Sequence, residues 1–180
     1  MKGKLLFVSL ALVSSTVAVP ALAQSAADLA SKIINDPGSP NVNGAKAKLV
    51  DDAAVQGGKA LQVVVARKGA HDWDSSVDTT IKKPIKAGDH LILAFQAKLV
   101  SIDGGGATAT LPYNAVQMNG APYTTVISGS ATIGNTWTLQ KIEGTAVRDF
   151  APGEIKTTMQ LGNAKQTIEF GPVMLFDMGQ

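Results

Sequence analysis

The 180-residue chain has no cysteine and only two histidines, His71 and His90. Those absences exclude a thiol nucleophile, a disulfide framework and a His-rich metal cage. A Ser-His-Asp arrangement would depend on one of two histidines, and no Gly-x-Ser-x-Gly elbow is present. Aromatic residues are scarce at 5% (five Phe, two Trp, two Tyr), so most rings are needed in the core. Neither sign of charge dominates: 16 Lys and Arg stand against 14 Asp and Glu. The two surplus positives are Lys2 and Lys4, in a segment expected to be removed. A balanced chain has no electrostatic footprint for nucleic acid or an anionic membrane, and little for a polyanionic substrate. With 45% hydrophobic and 17% charged residues, the composition is that of a folded globular chain rather than a disordered one.

What is present begins with an export signal. Met1–Lys4 is a short positive start, and Leu5 to Val19 is apolar apart from Ser9, Ser14, Ser15 and Thr16. Pro20-Ala-Leu-Ala23 supplies the small residues of a cleavage site, so Gln24 is the expected new N-terminus. The apolar run is short and broken by Ser and Pro, which argues against a membrane anchor. Residues 1–23 are thus expected to direct secretion to the periplasm or the medium. A lead segment, 24–44, follows, and Ala26 to Ile34 makes either a short helix or a loose lead. Asn35 to Gly44 is dense in turn formers and closes that segment.

From residue 45 to 180 the pattern has period two. Leu61–Val65, His90–Val100, Thr108–Met118, Trp137–Val147, Ile155–Leu161 and Thr167–Phe176 read as strands, the third interrupted by Pro112. Asn43-Gly44 and Asn119-Gly120 are dipeptides suited to tight hairpins. Gly57-Gly58, Lys86–Gly88, Gly134-Asn135, Pro152-Gly153 and Gly162-Asn163 punctuate the rest. A single sheet would leave one apolar face wet, so the expected fold is an all-β antiparallel sandwich, a jelly roll in one domain.

Few residues are placed for chemistry. Gly104–Gly106 precedes a strand rather than a helix, which makes it a loop and not a phosphate cradle. Lys82–Lys86 lacks interleaved aromatics and reads as a solvated connection. Asp72 and Asp74 flank Trp73 and fall on one side if extended, where two carboxylates cannot straddle a sugar ring. Phe95, Phe170 and Phe176 occupy apolar strand positions. Trp73, Tyr113 and Tyr123 instead lie beside polar or turn residues, and a ring with a polar tip suits stacking on sugar faces.

Several segments in order resemble a known family. Gly58–Val65 is followed by Asp72-Trp-Asp74 and by Ile81–Lys98, with its Lys-Ala-Gly turn and Phe-Gln-Ala-Lys strand end. Trp137, Ile155–Gly162 and Gln166–Val173 continue the order. Over about residues 45 to 178 this resembles carbohydrate-binding modules of families 4, 9, 16 and 22, galactose-binding-domain-like jelly rolls. The resemblance implies a non-catalytic protein, expected to be monomeric, that binds a polysaccharide of the xylan or β-glucan class in a groove on one sheet. Trp73 matches the stacking Trp and Tyr113 a second platform. Gln96 and Gln160 would line the groove, with Tyr123, Asp74 and Lys98 as further ligand contacts. Glycoside hydrolases or envelope proteins are the implied protein partners.

A structural calcium would have only Asp36 and Asp177, one carboxylate at each end, so no metal or other cofactor is expected. Two alternatives stand beside the binder. One is a structural or protein-interaction jelly roll of the envelope. The other is a small lyase or hydrolase drawing its acid and base from His71, His90, Asp72, Asp74 and Tyr123.

Overall fold

Ten strands follow from the alternation of apolar and polar residues, as seen in a computed structural model that describes residues 27–180. They are β1 (Asn41–Asn43), β2 (Lys46–Asp51), β3 (Lys59–Val65), β4 (Ser76–Thr80) and β5 (His90–Ile102). The second half contributes β6 (Thr108–Met118), β7 (Thr125–Gly134), β8 (Thr138–Thr145), β9 (Ile155–Gln160) and β10 (Gln166–Asp177). The expected signal segment, 1–23, lies outside the described residues. The chain divides into two units, Met1–Ser31 and Lys32–Gln180. The described part of the first is a helical turn, 27–31, in which Ser31 donates to the Asp28 carbonyl.

The second unit is an antiparallel sandwich. Its first sheet has the order β1-β4-β9-β6-β7 and its second the order β2-β3-β10-β5-β8. Seven of the nine connections between successive strands change sheet, the interleaving of a jelly roll. Two turn signals therefore act differently from the sequence expectation. Asn43-Gly44 links β1 to β2 in different sheets rather than closing a hairpin. Asn119-Gly120 does open the β6–β7 hairpin, but the loop runs to Thr124, with the positive φ at Tyr123 and a cis Ala121–Pro122 bond.

The core fills the space between the sheets. Leu91, Leu93, Phe95, Ile168, Phe170 and Leu175 from the second sheet meet Val77, Leu111, Val116, Ile133, Ile155 and Met159 from the first. Phe95 and Phe170 pack with ring centroids 6.1 Å apart, and Phe176 is buried too. A polar stitch crosses this core. The Asn35 amide donates to Thr79 Oγ1 and to the Val173 carbonyl, each at 2.8 Å, and its oxygen accepts the Leu175 N–H at 2.8 Å. Thr79 in turn meets Thr157 Oγ1 at 2.8 Å. One side chain so ties the first sheet to the second.

Pro112 has no N–H to give the ladder, and β6 bulges there: its register against β7 shifts between Leu111 and Asn114. Asn114 holds the bulge by donating to the Leu111 and Gly129 carbonyls. The extra residue reverses the side-chain alternation, so Leu111, Asn114 and Val116 face the core and Tyr113 turns outward.

The segment before β4 is a 3₁₀ turn, Asp72–Asp74, and not the extended stretch that would put Asp72 and Asp74 on one side. Asp74 closes it: its N–H donates to the His71 carbonyl, and its carboxylate accepts the His71 N–H at 3.0 Å. The turn is wedged between two glycines. A Cβ on Gly162 would lie 2.4 Å from the His71 oxygen, and one on Gly44 would lie 1.7 Å from the Asp74 oxygen. Gly44 also has φ +65°, where a side chain is strained. Gly44→Ala is expected to cost about 2 kcal/mol or more of unfolding free energy, measured by urea titration. Trp73 emission should change with it, because the 3₁₀ turn must move.

Candidate glycan-binding face

The outward side of the first sheet, away from the core, gathers a set of polar groups in register. Asn43 is opposite Ser76 and Asn41 opposite Asp78. Ser76 is opposite Gln160, and Asp78 opposite Thr158. Thr158 is opposite Ala115, and Lys156 opposite Gln117. Strand parity puts all of these on one face, since their neighbours Val77, Ile155, Met159 and Val116 point into the core.

Asp78 is the centre of this face. Its Oδ1 accepts the Thr158 hydroxyl at 2.7 Å, and its Oδ2 accepts Lys156 Nζ at 2.7 Å and Asn43 Nδ2 at 3.1 Å. Asn43 also donates to Ser76 Oγ. Asp78, Thr158 and Gln117 are 5%, 2% and 6% exposed although they point away from the core, so this polar floor lies sunk among its neighbours.

Aromatic groups border it. Tyr113 is half-buried, and its hydroxyl meets Thr125 Oγ1 at 2.5 Å. Thr125 pairs with Gln117, four residues further along β6. To reach it the ring must lie along the sheet, over Ala115, which has 0% exposure. The register places Tyr113 beside Gln160, one step beyond the Asn114–Met159 pair. At one end of the face, Tyr123 is exposed and Lys156 Nζ lies 5.8 Å from its ring centroid. At the other end, past Gln160, is the 3₁₀ turn: Leu161 N–H donates to the Ser75 carbonyl and Gly162 N–H to that of Asp72. Trp73 there is 61% exposed and stacks on His71, with centroids 4.4 Å apart and planes at 11°.

Tyr113, Tyr123 and Gln160 thus share the face, with Trp73 at its end. Asp74 is spent closing its own turn. Gln96 and Lys98 are not with them: β5 belongs to the second sheet, so their outward parity carries them to the opposite side of the sandwich. Lys98 there pairs with Glu169 at 2.7 Å and Asp52 at 3.0 Å, and lies 4.8 Å from the centroid of Trp137. Trp137 donates its indole N–H to the same Asp52 carboxylate at 3.0 Å. The Ala54 N–H, Lys98 and Trp137 hold Asp52 below its ordinary pKa, and Glu169 chiefly raises that of Lys98. Those bonds pin the 52–58 connection to the second sheet.

Sequence reasoning missed Asn43, Asp78, Lys156, Thr158 and Gln117. A signal for them existed. The five strands of the first sheet hold one acid and one base, Asp78 and Lys156, amid Ser, Thr, Asn and Gln. The second sheet's strands carry nine Asp, Glu and Lys residues. Among the described residues no cluster of three or more His, Asp or Glu is arranged to hold a metal ion, and no helix is long and apolar enough to cross a membrane.

No protein-family model matches the chain, and no curated protein matches it in sequence. Solved structures do match in three dimensions. A family 4 carbohydrate-binding module aligns at 21% identity and TM-score 0.61 over 78% of this chain and 96% of its own. The N-terminal cellulose-binding domain of Cellulomonas fimi β-1,4-glucanase C aligns at 20% identity and TM-score 0.56, over 82% of this chain and 93% of that domain. The CBM22-1 xylan-binding domain of Paenibacillus barcinonensis Xyn10C aligns at 14% identity and TM-score 0.54, over 79% of this chain and 87% of that domain. At these identities the likeness is one of fold: the chain is an antiparallel jelly roll of the kind seen in carbohydrate-binding modules of the family 4 and 22 type.

Proposed function

We propose that the chain is a non-catalytic, exported protein that binds a polysaccharide of the xylan or β-glucan class on the outward face of its first sheet. The observation that carries this reading is the Tyr113 ring lying along that face over Ala115, whose partner on β9 is Thr158, next to a sunken floor of hydroxyl and amide groups. A pyranose offers an apolar face bordered by hydroxyls. A ring laid along the sheet meets the first, and side chains that both donate and accept meet the second. The three folds compared above include cellulose- and xylan-binding domains by name, and that supports the substrate class.

Tyr113 supplies the central stack, Gln160 and Gln117 bridge adjacent hydroxyls, and Tyr123 and Trp73 extend the surface at its two ends. Asp78 and Lys156 neutralise each other, so binding rests on contact rather than charge and depends little on salt. The strands of this face hold one carboxylate, Asp78, and three donors bond it, which favours binding over hydrolysis.

Affinity electrophoresis of the chain lacking residues 1–23, against gels cast with xylan, mixed-linkage β-glucan and other soluble polysaccharides, tests the reading. Retardation by at least one neutral glycan is the expected result. Unretarded migration across the panel would overturn it and favour a protein-interaction role for the same face.

A further inference from the structure

We propose that Asp78 is the specificity-determining residue of this face, making it select uncharged glycans over acidic ones by cancelling and holding Lys156. The inference rests on the reading that the face binds glycans. Lys156 is the one cation in the five strands of the first sheet, and it stands opposite Gln117 on the central strand of that sheet. Left alone it would attract any uronate or sulfate that a glycan carried there. Its side chain is 18% exposed and that of Asp78 7%, and the Asp78 carboxylate takes its ammonium at 2.7 Å. A charge pair at that separation and burial is coupled far more strongly than one in bulk water.

Asp78 does two things at once. It removes the net charge, and it fixes three donors in place, because Asn43, Lys156 and Thr158 all bond to its two oxygens. An acidic sugar would have to displace a carboxylate that is already bonded by three groups and sits within the sheet, while a neutral hydroxyl need only share a donor. Discrimination then comes from a like charge placed against the wrong ligand. Phe, Leu or Val on the neighbouring outward positions would give no such discrimination. The surrounding Ser76, Gln117 and Gln160 have hydroxyl or amide heads that suit either class of sugar, so the selection falls on the Asp78–Lys156 pair.

The test compares wild type, Asp78→Asn and the double variant Asp78→Asn/Lys156→Gln by calorimetry, with mixed-linkage β-glucan as the neutral probe and polygalacturonate as the acidic one. Asp78→Ser is carried in parallel, so that a folding defect in one variant, checked by circular dichroism, does not decide the matter. Wild type is expected to bind the neutral polymer and not the acidic one. Each single variant should gain roughly tenfold or more in affinity for polygalacturonate. That gain should vanish at high salt and in the double variant. Folded single variants that gain no affinity for the acidic polymer would overturn the assignment, as would a gain that persists when Lys156 is replaced. A wild type that binds neither polymer nor any other neutral glycan of the electrophoresis panel counts against the glycan reading itself, whereas a salt-sensitive gain that requires Lys156 supports the charge assignment on its own.

Discussion

Tyr113→Ala is expected to weaken glycan binding by about ten- to a hundredfold while leaving the chain folded. Removing a ring that stacks on a sugar forfeits roughly 1.5–3 kcal/mol of apolar contact, and 1.4 kcal/mol is a factor of ten in affinity. The fold should survive because the ring lies outside the sandwich. Its one hydrogen bond is to the exposed Thr125, and what it covers is Ala115 on the outward face. Tyr113→Phe separates the ring from its hydroxyl. It should keep most of the affinity, since stacking needs the ring and the hydroxyl serves to lay it down. Calorimetry with the glycan found by electrophoresis measures both variants. Unchanged affinity in a folded Tyr113→Ala would remove Tyr113 from the site.

The second large effect concerns stability. Asn35→Ala should lower the unfolding free energy by about 3 kcal/mol, because each buried group left without its partner costs about 1–3 kcal/mol. The truncation strands two groups, the Leu175 N–H and the Val173 carbonyl, and removes one of the bonds to the Thr79 hydroxyl. Asn35 is 9% exposed, so water has little access to replace the amide. Thr79 keeps its bond to Thr157, which limits the loss on that side. Asn35→Asp preserves the acceptor for Leu175 but loses both donors, and should fall between Ala and wild type in urea melts at neutral pH only if the new charge finds solvent. A loss below about 1 kcal/mol for Asn35→Ala would mean that the stitch between the sheets carries little of the stability.

Legibility in the sequence followed burial. β5, β6, β9 and β10 alternate over long runs against one core, and the expected strands coincide with them within a few residues. β4 and β7 were not legible. Ser76–Thr80 is polar at four of five positions because its outward residues floor the face and its inward Thr79 joins the Asn35 stitch. β7 is thinned by Ser and Gly, the latter at Gly129, where a Cβ would come 3.1 Å from Ile142 of the opposite sheet.

The site was half legible for the same reason. Tyr113 stands out by residue type and neighbours, and Gln160 by residue type and parity. Period two gives a residue's side of its own strand but not which sheet the strand joins, so the sequence groups Gln96 and Lys98 with Gln160 although β5 runs in the other sheet. Pro112 was legible as an interruption. That it reverses parity and turns Tyr113 outward needed the register of β6 against both neighbours.

The most direct test of the account is a nuclear magnetic resonance titration of the labelled domain with a short soluble oligosaccharide of the glycan found by electrophoresis. Amide shifts should cluster at Asn41–Asn43, Ser76–Thr80, Tyr113–Gln117 and Lys156–Gln160, and leave Gln62, Lys98 and Glu169 on the second sheet unmoved. Shifts centred on that second sheet, with the first sheet silent, would contradict the account.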